Sequence, residues 1–455
     1  MKRDAEQYLE EWIRLKRRKP LIIRGARQVG KSTLVHNFVR EKGFDLFEVN
    51  LELFPNITAF DSMNIDHILR DLEVLIQKQI SPNTLIFIDE IQKYPIAITA
   101  LRYFYEKKPE IPVIAAGSLL EVVLEEMEYS MPVGRIEYLY LGPMTFFEFL
   151  AALNEETLLE TLKFSNDFEI SQDMFNRLVE RYREFLFIGG MPEAVLTYSE
   201  TKSGLAVQRV HRSIIETYIE DFSKYKKRVN TDHLEMVFNY ISTHIGQKIK
   251  YSNISQEHQS RELKKAFNLL IKAGIILPVY YSSSSGIPLK AGIDTKVVKP
   301  YFLDVGLMNY QYGLSWNDFT SLQLHQLFNI GVASEQFAAQ HLMYGLGQER
   351  KPELFYWIRE KKSANAEVDF VITASGRIWP VEIKSGKSGT LKSLHQFLYQ
   401  KKLGKAVRFN IDKPSSVMVD TSVKNGVMID QISFELLSFP IFLIEKIYDY
   451  LDKWK

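Results

Sequence analysis

One eight-residue motif near the N-terminus constrains this sequence more than any other feature. Residues 25–32 read GARQVGKS and fit the pattern G-x-x-x-x-G-K-[ST] without a gap. The apolar run LIIR precedes the motif, and LVHNFVREK follows it with the apolar spacing of a helix that stops at Gly43. A strand, a glycine-rich loop and a helix in this order predict a phosphate-binding loop within a parallel α/β sheet.

Each residue type in the motif suits a phosphate chain. Glycines let the backbone wrap closely with its N–H groups inward, and the helix N-terminus adds partial positive charge. We expect Lys31 to reach the β- and γ-phosphates, Ser32 to bind Mg²⁺ and Thr33 to assist through a phosphate contact. The alternative is a glycine turn that binds nothing. The residues expected to contact nucleotide are Gly25, Ala26, Arg27, Gln28, Val29, Gly30, Lys31, Ser32 and Thr33.

A second segment supplies carboxylates. TLIFID at 84–89 has the composition of a buried strand and leads into the pair Asp89 and Glu90. We expect Asp89 to hold Mg²⁺ through its water shell and Glu90 to polarise the attacking water as a general base. The alternative is an acidic pair that caps the next segment.

A third apolar segment, PVIAAG at 112–117, ends at Ser118. Because ligands of open α/β sheets bind at the carboxyl ends of the strands, Ser118 is placed to sense the γ-phosphate or to position the water. An N-cap for a helix over 119–127 is an equally good interpretation, and both can hold.

These segments together resemble an ATPase of the AAA+ superfamily, with Walker A at 25–32, Walker B at Asp89-Glu90 and Ser118 in the sensor-1 place. GRIEYL from residue 134 and GGMPE at 189–193 also match prokaryotic ATPases fused to a C-terminal domain of unknown function. The resemblance implies ATP and Mg²⁺ as cofactors. Arg135 could act on a γ-phosphate in its own chain or in a neighbouring copy of a homo-oligomer. A structural salt bridge is the preferred alternative.

Two predicted modules follow the ATPase core, which we assign to residues 1–150. Residues 151–235 have helical patterning and, by the resemblance, correspond to a helical lid. Residues 236–310 give helix, helix and hairpin, the order of a winged helix. Its second helix carries four basic residues that could neutralise DNA phosphates, namely Arg261, Lys264, Lys265 and Lys272. The alternative is a packing or subunit-contact module.

A D…ExK arrangement marks the last predicted domain, residues 311–455. EVDFVI, a turn at 375–376 and RIWPVEIKS predict a β-hairpin that brings Asp369 and Glu382 to one end. Strand alternation puts Glu382 and Lys384 on the same face. The arrangement is typical of restriction-endonuclease-like folds.

These residue types suit Mg²⁺-dependent cleavage of a phosphodiester. Asp369 and Glu382 can bind the metal, and Lys384 can stabilise developing charge or orient water. Glu335, early on a helix, could complete the metal shell, and Glu367 is a weaker candidate on the face of Asp369. An inactive scaffold that keeps the polar cluster is the alternative.

Composition narrows the function classes. Lys and Arg number 57 against 56 for Asp and Glu, which excludes a uniformly basic nucleic-acid coat but allows a local patch. The sequence contains no cysteine, which excludes disulfides, thiolate metal sites and a cysteine nucleophile. The charged N-terminus and short apolar runs lead us to expect a soluble, cytoplasmic protein without a membrane partner.

The sequence therefore predicts an α/β protein with a P-loop NTPase parallel sheet, a helical lid, a winged-helix module and a C-terminal restriction-endonuclease-like domain. One functional hypothesis is an ATP-hydrolysing switch or motor whose C-terminal domain handles or cleaves nucleic acid. A second is a signalling or scaffold ATPase that binds protein partners. A third is a nucleotide-binding regulator with negligible turnover.

Overall fold

The computed structural model describes residues 1–118, 120–121, 134–164, 170–226, 228–322, 330–360, 365–384, 391–425 and 428–453. The helix predicted over 119–127 lies outside the described residues, apart from 120–121. The chain divides into two compact units. Unit 1 contains Met1–Met144, Asn268–Ile275 and Gly347–Pro352, and unit 2 contains Thr145–Phe267, Ile276–Leu346 and Glu353–Lys455.

Unit 1 is built on a five-stranded sheet in which all neighbouring strands are parallel. The strands are β1 (Leu21–Arg24), β2 (Asp45–Asn50), β3 (Thr84–Asp89), β4 (Val113–Gly117) and β5 (Glu137–Tyr140). The helices are α1 (Ala5–Ile13), α2 (Lys31–Lys42), α3 (Ile65–Ile76) and α4 (Pro95–Lys107). The strand order is β2-β3-β4-β1-β5, so the motif at 25–32 leaves the sheet from a strand flanked on both sides.

The apolar runs read from the sequence form the interior of this sheet. Every residue of β3 and β4 is buried, as is the Leu-Ile-Ile run of β1. Strands buried on both faces need continuous rather than alternating apolar sequence, which these segments have. The predicted P-loop sheet and its three strands are confirmed.

Gly25 is required where β1 turns into the loop. Its φ is 156°, and a Cβ built at this position would overlap the carbonyl oxygen of Leu141. The backbone therefore approaches the segment after β5 more closely than any side chain would allow.

Unit 2 holds most of the helices and a second sheet. The remaining helices are α5 (Phe146–Ala152), α6 (Glu156–Phe164), α7 (Gln172–Ile188), α8 (Pro192–Thr201), α9 (Gly204–Asp221), α10 (Thr231–Ser242), α11 (Tyr251–Ile254), α12 (Ser260–Lys272), α13 (Val305–Gln311), α14 (Trp316–Ser321), α15 (Ile330–Tyr344), α16 (Lys392–Lys401) and α17 (Ile447–Lys453). The helical patterning of 151–235 is confirmed by α6 to α9. Among the described residues, no helix is both long and apolar enough to cross a membrane.

The second sheet has eight strands in the order β12-β13-β11-β10-β9-β8-β6-β7. They are β6 (Ile276–Ser282), β7 (Ile293–Phe302), β8 (Leu354–Arg359), β9 (Ala366–Ala374), β10 (Arg377–Ile383), β11 (Lys405–Asn410), β12 (Ser415–Asn425) and β13 (Met428–Pro440). The predicted hairpin is β9–β10, with its turn at Ser375 and Gly376, both at positive φ. Two left-handed residues are what a two-residue hairpin turn demands.

The structure divides the chain differently from the predicted modules. The hairpin expected as a wing exists as β6–β7, but β6 also pairs in parallel with β8, through Val279 and Leu354. It therefore continues the sheet of the C-terminal residues. The segment 236–310 is not a unit of its own, and the end of α12 is grouped with unit 1. Pairing between strands distant in sequence leaves no local signal, so this division into two units could not be predicted from the sequence.

The carboxylate of Asp304 connects several segments of unit 2 through hydrogen bonds. Its Oδ1 accepts the backbone N–H groups of Gly306 at 2.9 Å and Leu307 at 3.1 Å, which caps α13. Its Oδ2 accepts the N–H of Gly190 at 2.6 Å and Nε2 of Gln340 at 3.3 Å. Burial raises the pKa of Asp304 to about 6, although these donors act in the opposite direction. The glycine pair that interrupts the helical pattern thus has a structural role.

We predict that Asp304→Asn lowers the free energy of unfolding by about 1–3 kcal/mol. The new amide turns a donor toward the N–H of Gly190, and a buried donor without an acceptor costs this much. Asp173→Asn, at an exposed position in the first turn of α7, is the control and should change stability by no more than about 0.5 kcal/mol. Urea denaturation of both variants measures the effect, and equal losses would contradict the assignment.

Candidate functional site

The predicted nucleotide residues lie at the ends of neighbouring parallel strands in unit 1. The loop 25–30 follows β1, Asp89 ends β3, and Ser118 follows β4. In the sheet register Arg24 pairs with Gly117 and Ile88 with Ala115, so these ends share one edge. This is where open α/β sheets bind their ligands.

The loop encloses a buried lysine. Lys31 opens α2, after Gly30 has turned the chain with φ 91°. Its Nζ donates to the carbonyl oxygens of Ala26 at 2.7 Å and Gly25 at 3.1 Å. Burial lowers the pKa of Lys31 to about 8, and the carboxylates of Glu90 and Asp89 partly oppose this.

Ser32 and Asp89 meet across the gap between loop and strand. Ser32 Oγ donates to Asp89 Oδ2 at 2.7 Å, and Asp89 Oδ1 accepts the N–H of Glu90 at 2.9 Å. A hydroxyl and a carboxylate are hard oxygen donors of the kind that Mg²⁺ takes in nucleotide sites. The donor set therefore fits a magnesium ion.

Glu90 stands just beyond Asp89 and is only partly buried. Its backbone is left-handed, with φ 53°, and Gln92 Nε2 donates to its Oε2. The remaining loop residues range from buried Ala26 and Val29 to exposed Thr33. The helix that Ser118 would cap is described only at residues 120–121, so the N-cap alternative stays a prediction.

Two arginines of unit 1 have contacts that bear on the site. Arg135 Nε pairs with Glu106 Oε1 at 3.1 Å, which is the salt-bridge alternative. Arg3, which no sequence motif singles out, donates to the carbonyl oxygens of Val29 at 3.0 Å and Gly142 at 2.9 Å. Arg3 therefore supports the loop through a hydrogen bond to Val29, which lies 26 residues away in sequence.

The basic residues of α12 lie mostly in solvent. Arg261, Lys264 and Lys265 are exposed, whereas Lys272 is partly buried. Lys265 Nζ pairs with Glu262 Oε1 at 3.0 Å within the same helix. Arg261, Lys264 and Lys265 therefore form an exposed basic face, which is common on the solvent side of a helix.

A second cluster lies in unit 2 at the end of the β9–β10 hairpin. Lys384 Nζ pairs with Glu382 Oε1 at 2.7 Å, which confirms their shared face. Asp369 Oδ2 accepts the N–H of Ile383 at 2.8 Å, so the hairpin brings Asp369 to the same end as predicted. Glu382 Oε2 is buried and has no hydrogen-bond partner within the described residues.

Glu335, on α15, joins this cluster through a lysine that sequence reasoning missed. Lys299 Nζ lies 3.7 Å from Glu335 Oε1 and also pairs with Glu367 Oε1. Tyr301 donates its hydroxyl to Glu335 Oε1. Lys299 is 1% exposed, and the only signal in the sequence is its place next to apolar residues near the end of the strand.

The cluster contains more carboxylates than lysines. Burial raises the pKa of Glu382, and Asp369 adds to this while Lys384 opposes it. Burial likewise raises the pKa of Glu335, against the attraction of Lys299. For Lys299 itself, burial lowers the pKa, but the surrounding carboxylates outweigh it and the net change is upward.

The three carboxylates expected to share a metal are not arranged as a ready ligand set. Within the described ranges, no three His, Cys, Asp or Glu side chains are placed so that they could hold a metal ion. Glu335 is instead directed to Tyr301 and Lys299. A metal site of Glu335, Asp369 and Glu382 stays a prediction.

Comparison with known families agrees with the nucleotide site. A family model described as an AAA domain matches residues 17–150. Two models of domains of unknown function, DUF8612 and DUF4143, match residues 179–318 and 330–425. None of the curated proteins matches the chain. Residues 17–150 are thus similar to AAA-type P-loop ATPase domains, and this range contains the loop, Asp89, Glu90 and Ser118.

Several solved structures are similar to the chain. A Walker-type ATPase of Pyrococcus abyssi is 16% identical, with a TM-score of 0.44, 68% of this chain covered and 95% of that one. The ORC2 protein of Aeropyrum pernix is 12% identical, with a TM-score of 0.33, 70% of this chain covered and 92% of that one. The RuvB Holliday junction branch migration motor of Thermotoga maritima is 15% identical, with a TM-score of 0.29, 60% covered here and 88% there.

We predict that Lys299→Met lowers the free energy of unfolding by about 3–5 kcal/mol, because Glu335 and Glu367 lose their buried counter-charge. Lys296→Met, on an exposed residue of the same strand, is the matched control and should cost no more than about 0.5 kcal/mol. Chemical denaturation compares the two. A Lys299→Met protein as stable as the control would show that the cluster needs no internal cation.

Proposed function

We propose that this chain is an Mg²⁺-dependent ATPase that couples its nucleotide state to a nucleic-acid-binding or nuclease-like second unit. The observation that carries the ATPase assignment is the 2.7 Å hydrogen bond between Ser32 Oγ and Asp89 Oδ2, beside a lysine buried in the loop. Hydroxyl, carboxylate and ammonium converge where phosphate and magnesium would lie.

In this mechanism the loop binds the phosphates of ATP. The backbone N–H groups of the loop and of the first turn of α2 point toward phosphate oxygens. Lys31 exchanges its carbonyl partners for oxygens of the β- and γ-phosphates, an exchange its burial favours because a dianionic partner stabilises its charge. Ser32 and Asp89 would hold Mg²⁺, which supplies charge neutralisation on the phosphate chain when bound.

Glu90 is the proposed general base. Its carboxylate accepts a proton from the attacking water as the water oxygen bonds to the γ-phosphorus and the bond to the ADP oxygen breaks. Ser118, which follows the strand next to β3, is the residue proposed to orient that water or to sense the γ-phosphate. Within its own chain Arg135 pairs with Glu106, so we give it no role in this mechanism in cis.

For unit 2 we propose a divalent-cation site at Asp369 and Glu382, with Lys384 beside it. The buried and unpartnered Oε2 of Glu382 supports this, since such an atom calls for a proton or a cation. Together with Glu335 and Glu367, the cluster contains four carboxylates and two lysines. It therefore has a net negative charge when all of these side chains are ionised. The metal would polarise a phosphodiester, and Lys384 would stabilise its developing charge.

The partners follow from these sites. ATP is the nucleotide, DNA or another nucleic acid is the proposed partner of unit 2, and the exposed face of α12 is a candidate for phosphate contacts. A homo-oligomer would supply an arginine in trans. The alternative is a signalling or scaffold ATPase whose second unit only binds proteins. DNA-stimulated ATP hydrolysis would distinguish the first proposal from this one.

We predict that Lys31→Ala abolishes measurable ATP binding and turnover, because the phosphate chain loses its buried cation. Glu90→Gln should keep ATP affinity within about twofold and lower kcat by about 10²–10⁴-fold, the usual contribution of a general base. Fluorescent-nucleotide titration and a phosphate-release assay measure the two effects. Unchanged affinity and turnover in Lys31→Ala would refute the nucleotide site.

We predict that the wild type cleaves DNA in the presence of Mg²⁺ and that this cleavage is lost in Asp369→Ala and in Lys384→Ala. Asp420→Ala on β12, outside the cluster, is the control and should cleave like the wild type. A gel assay with and without EDTA gives the result. Equal rates in all variants, or no cleavage by the wild type, would favour the scaffold alternative.

A further inference from the structure

Gln92 has an unusual position beside the proposed base. It lies in a single helical turn, Ile91–Lys93, directly after β3, and its side chain is buried. Its Nε2 donates to Glu90 Oε2. One carboxylate oxygen is thereby engaged, and the orientation of the other is set.

Gly117 makes room for this side chain. A Cβ built at Gly117 would overlap Gln92 Oε1, so the amide lies directly on the backbone at the end of β4, next to Ser118. β4 pairs with β3, so the glutamine fills the space between the ends of two adjacent strands. It therefore touches both the base and the residue before Ser118.

The position of the Gln92 amide does not favour the stability of the fold. Gln92 Oε1 is buried without a hydrogen-bond partner within the described residues, and a buried acceptor left unpaired costs about 1–3 kcal/mol. An apolar residue of similar size would fill the same space without that cost. A hydrogen bond to Glu90 is what the amide provides and leucine would not.

We propose that Gln92 is a positioning residue that holds the Glu90 carboxylate in its reactive orientation, a role that rests on Glu90 being the general base. The backbone of Glu90 is already fixed by its left-handed φ and by the bond from its N–H to Asp89 Oδ1. The side chain of Glu90 could still rotate about its own bonds. The hydrogen bond from Gln92 restricts that rotation. A misplaced base costs a large factor in rate while leaving substrate binding intact.

The test compares Gln92→Leu with wild type in the full chain. We expect kcat for ATP to fall by about 10–100-fold, with KM and fluorescent-nucleotide affinity within about twofold. Thermal stability should be equal or higher, which a merely structural role for the amide would not give. Gln396→Leu, also at a buried glutamine but in unit 2, is the matched control and should turn over like the wild type.

Gly117→Ala reaches the same contact from the other side. The new Cβ displaces the flexible end of Gln92 and should lower kcat in the same way. In the Gln92→Leu background, Gly117→Ala should cause less than about a threefold further loss, since the contact is already gone.

A double-mutant cycle with Glu90→Gln decides whether Gln92 acts through Glu90. Gln92→Leu should add less than about a threefold loss to Glu90→Gln. A full additional loss, or a kcat for Gln92→Leu within about twofold of wild type, would overturn the positioning role while leaving the ATPase proposal intact. Wild-type turnover in Glu90→Gln would instead remove Glu90 as the base, and the inference with it.

Discussion

Burial of charge is the constraint on which both candidate sites depend. Lys31 and Lys299 each lie almost fully out of solvent, and an isolated ammonium in such a place would be expensive. Lys31 is held by loop carbonyls, with Asp89 and Glu90 nearby. Lys299 is held by the carboxylates of Glu335 and Glu367. Each site can form only because the surrounding backbone and side chains satisfy the lysine first.

The two lysines differ in what surrounds them, and this separates their roles. Neutral carbonyls stabilise the charged form of Lys31 only weakly, so burial lowers its pKa. A phosphate partner would stabilise the charged form. Carboxylates surround Lys299, and its pKa rises despite burial. Lys31 thus fits the phosphate-binding role proposed for it, whereas Lys299 is an internal counter-charge within the acidic cluster of unit 2.

Features encoded locally were predictable from the sequence. The loop at 25–32, the strand before Asp89 and the β9–β10 hairpin each depend on short spacing rules, and the shared face of Glu382 and Lys384 follows from strand alternation. Contacts across long sequence distances were not predictable. Arg3 reaches Val29 and Gly142, and Lys299 reaches Glu335 and Glu367, because the folded chain brings them together.

The same distinction explains why the structure divides the chain differently from the predicted modules. Helix, helix and hairpin were read correctly as elements, but the parallel pairing of β6 with β8 joins the hairpin to strands more than seventy residues away in sequence. The near equality of 57 basic and 56 acidic residues is similarly uninformative, because it averages an acidic cluster in unit 2 with the exposed basic face of α12. The net charge of the whole chain therefore does not reveal that the cluster in unit 2 has more carboxylates than lysines.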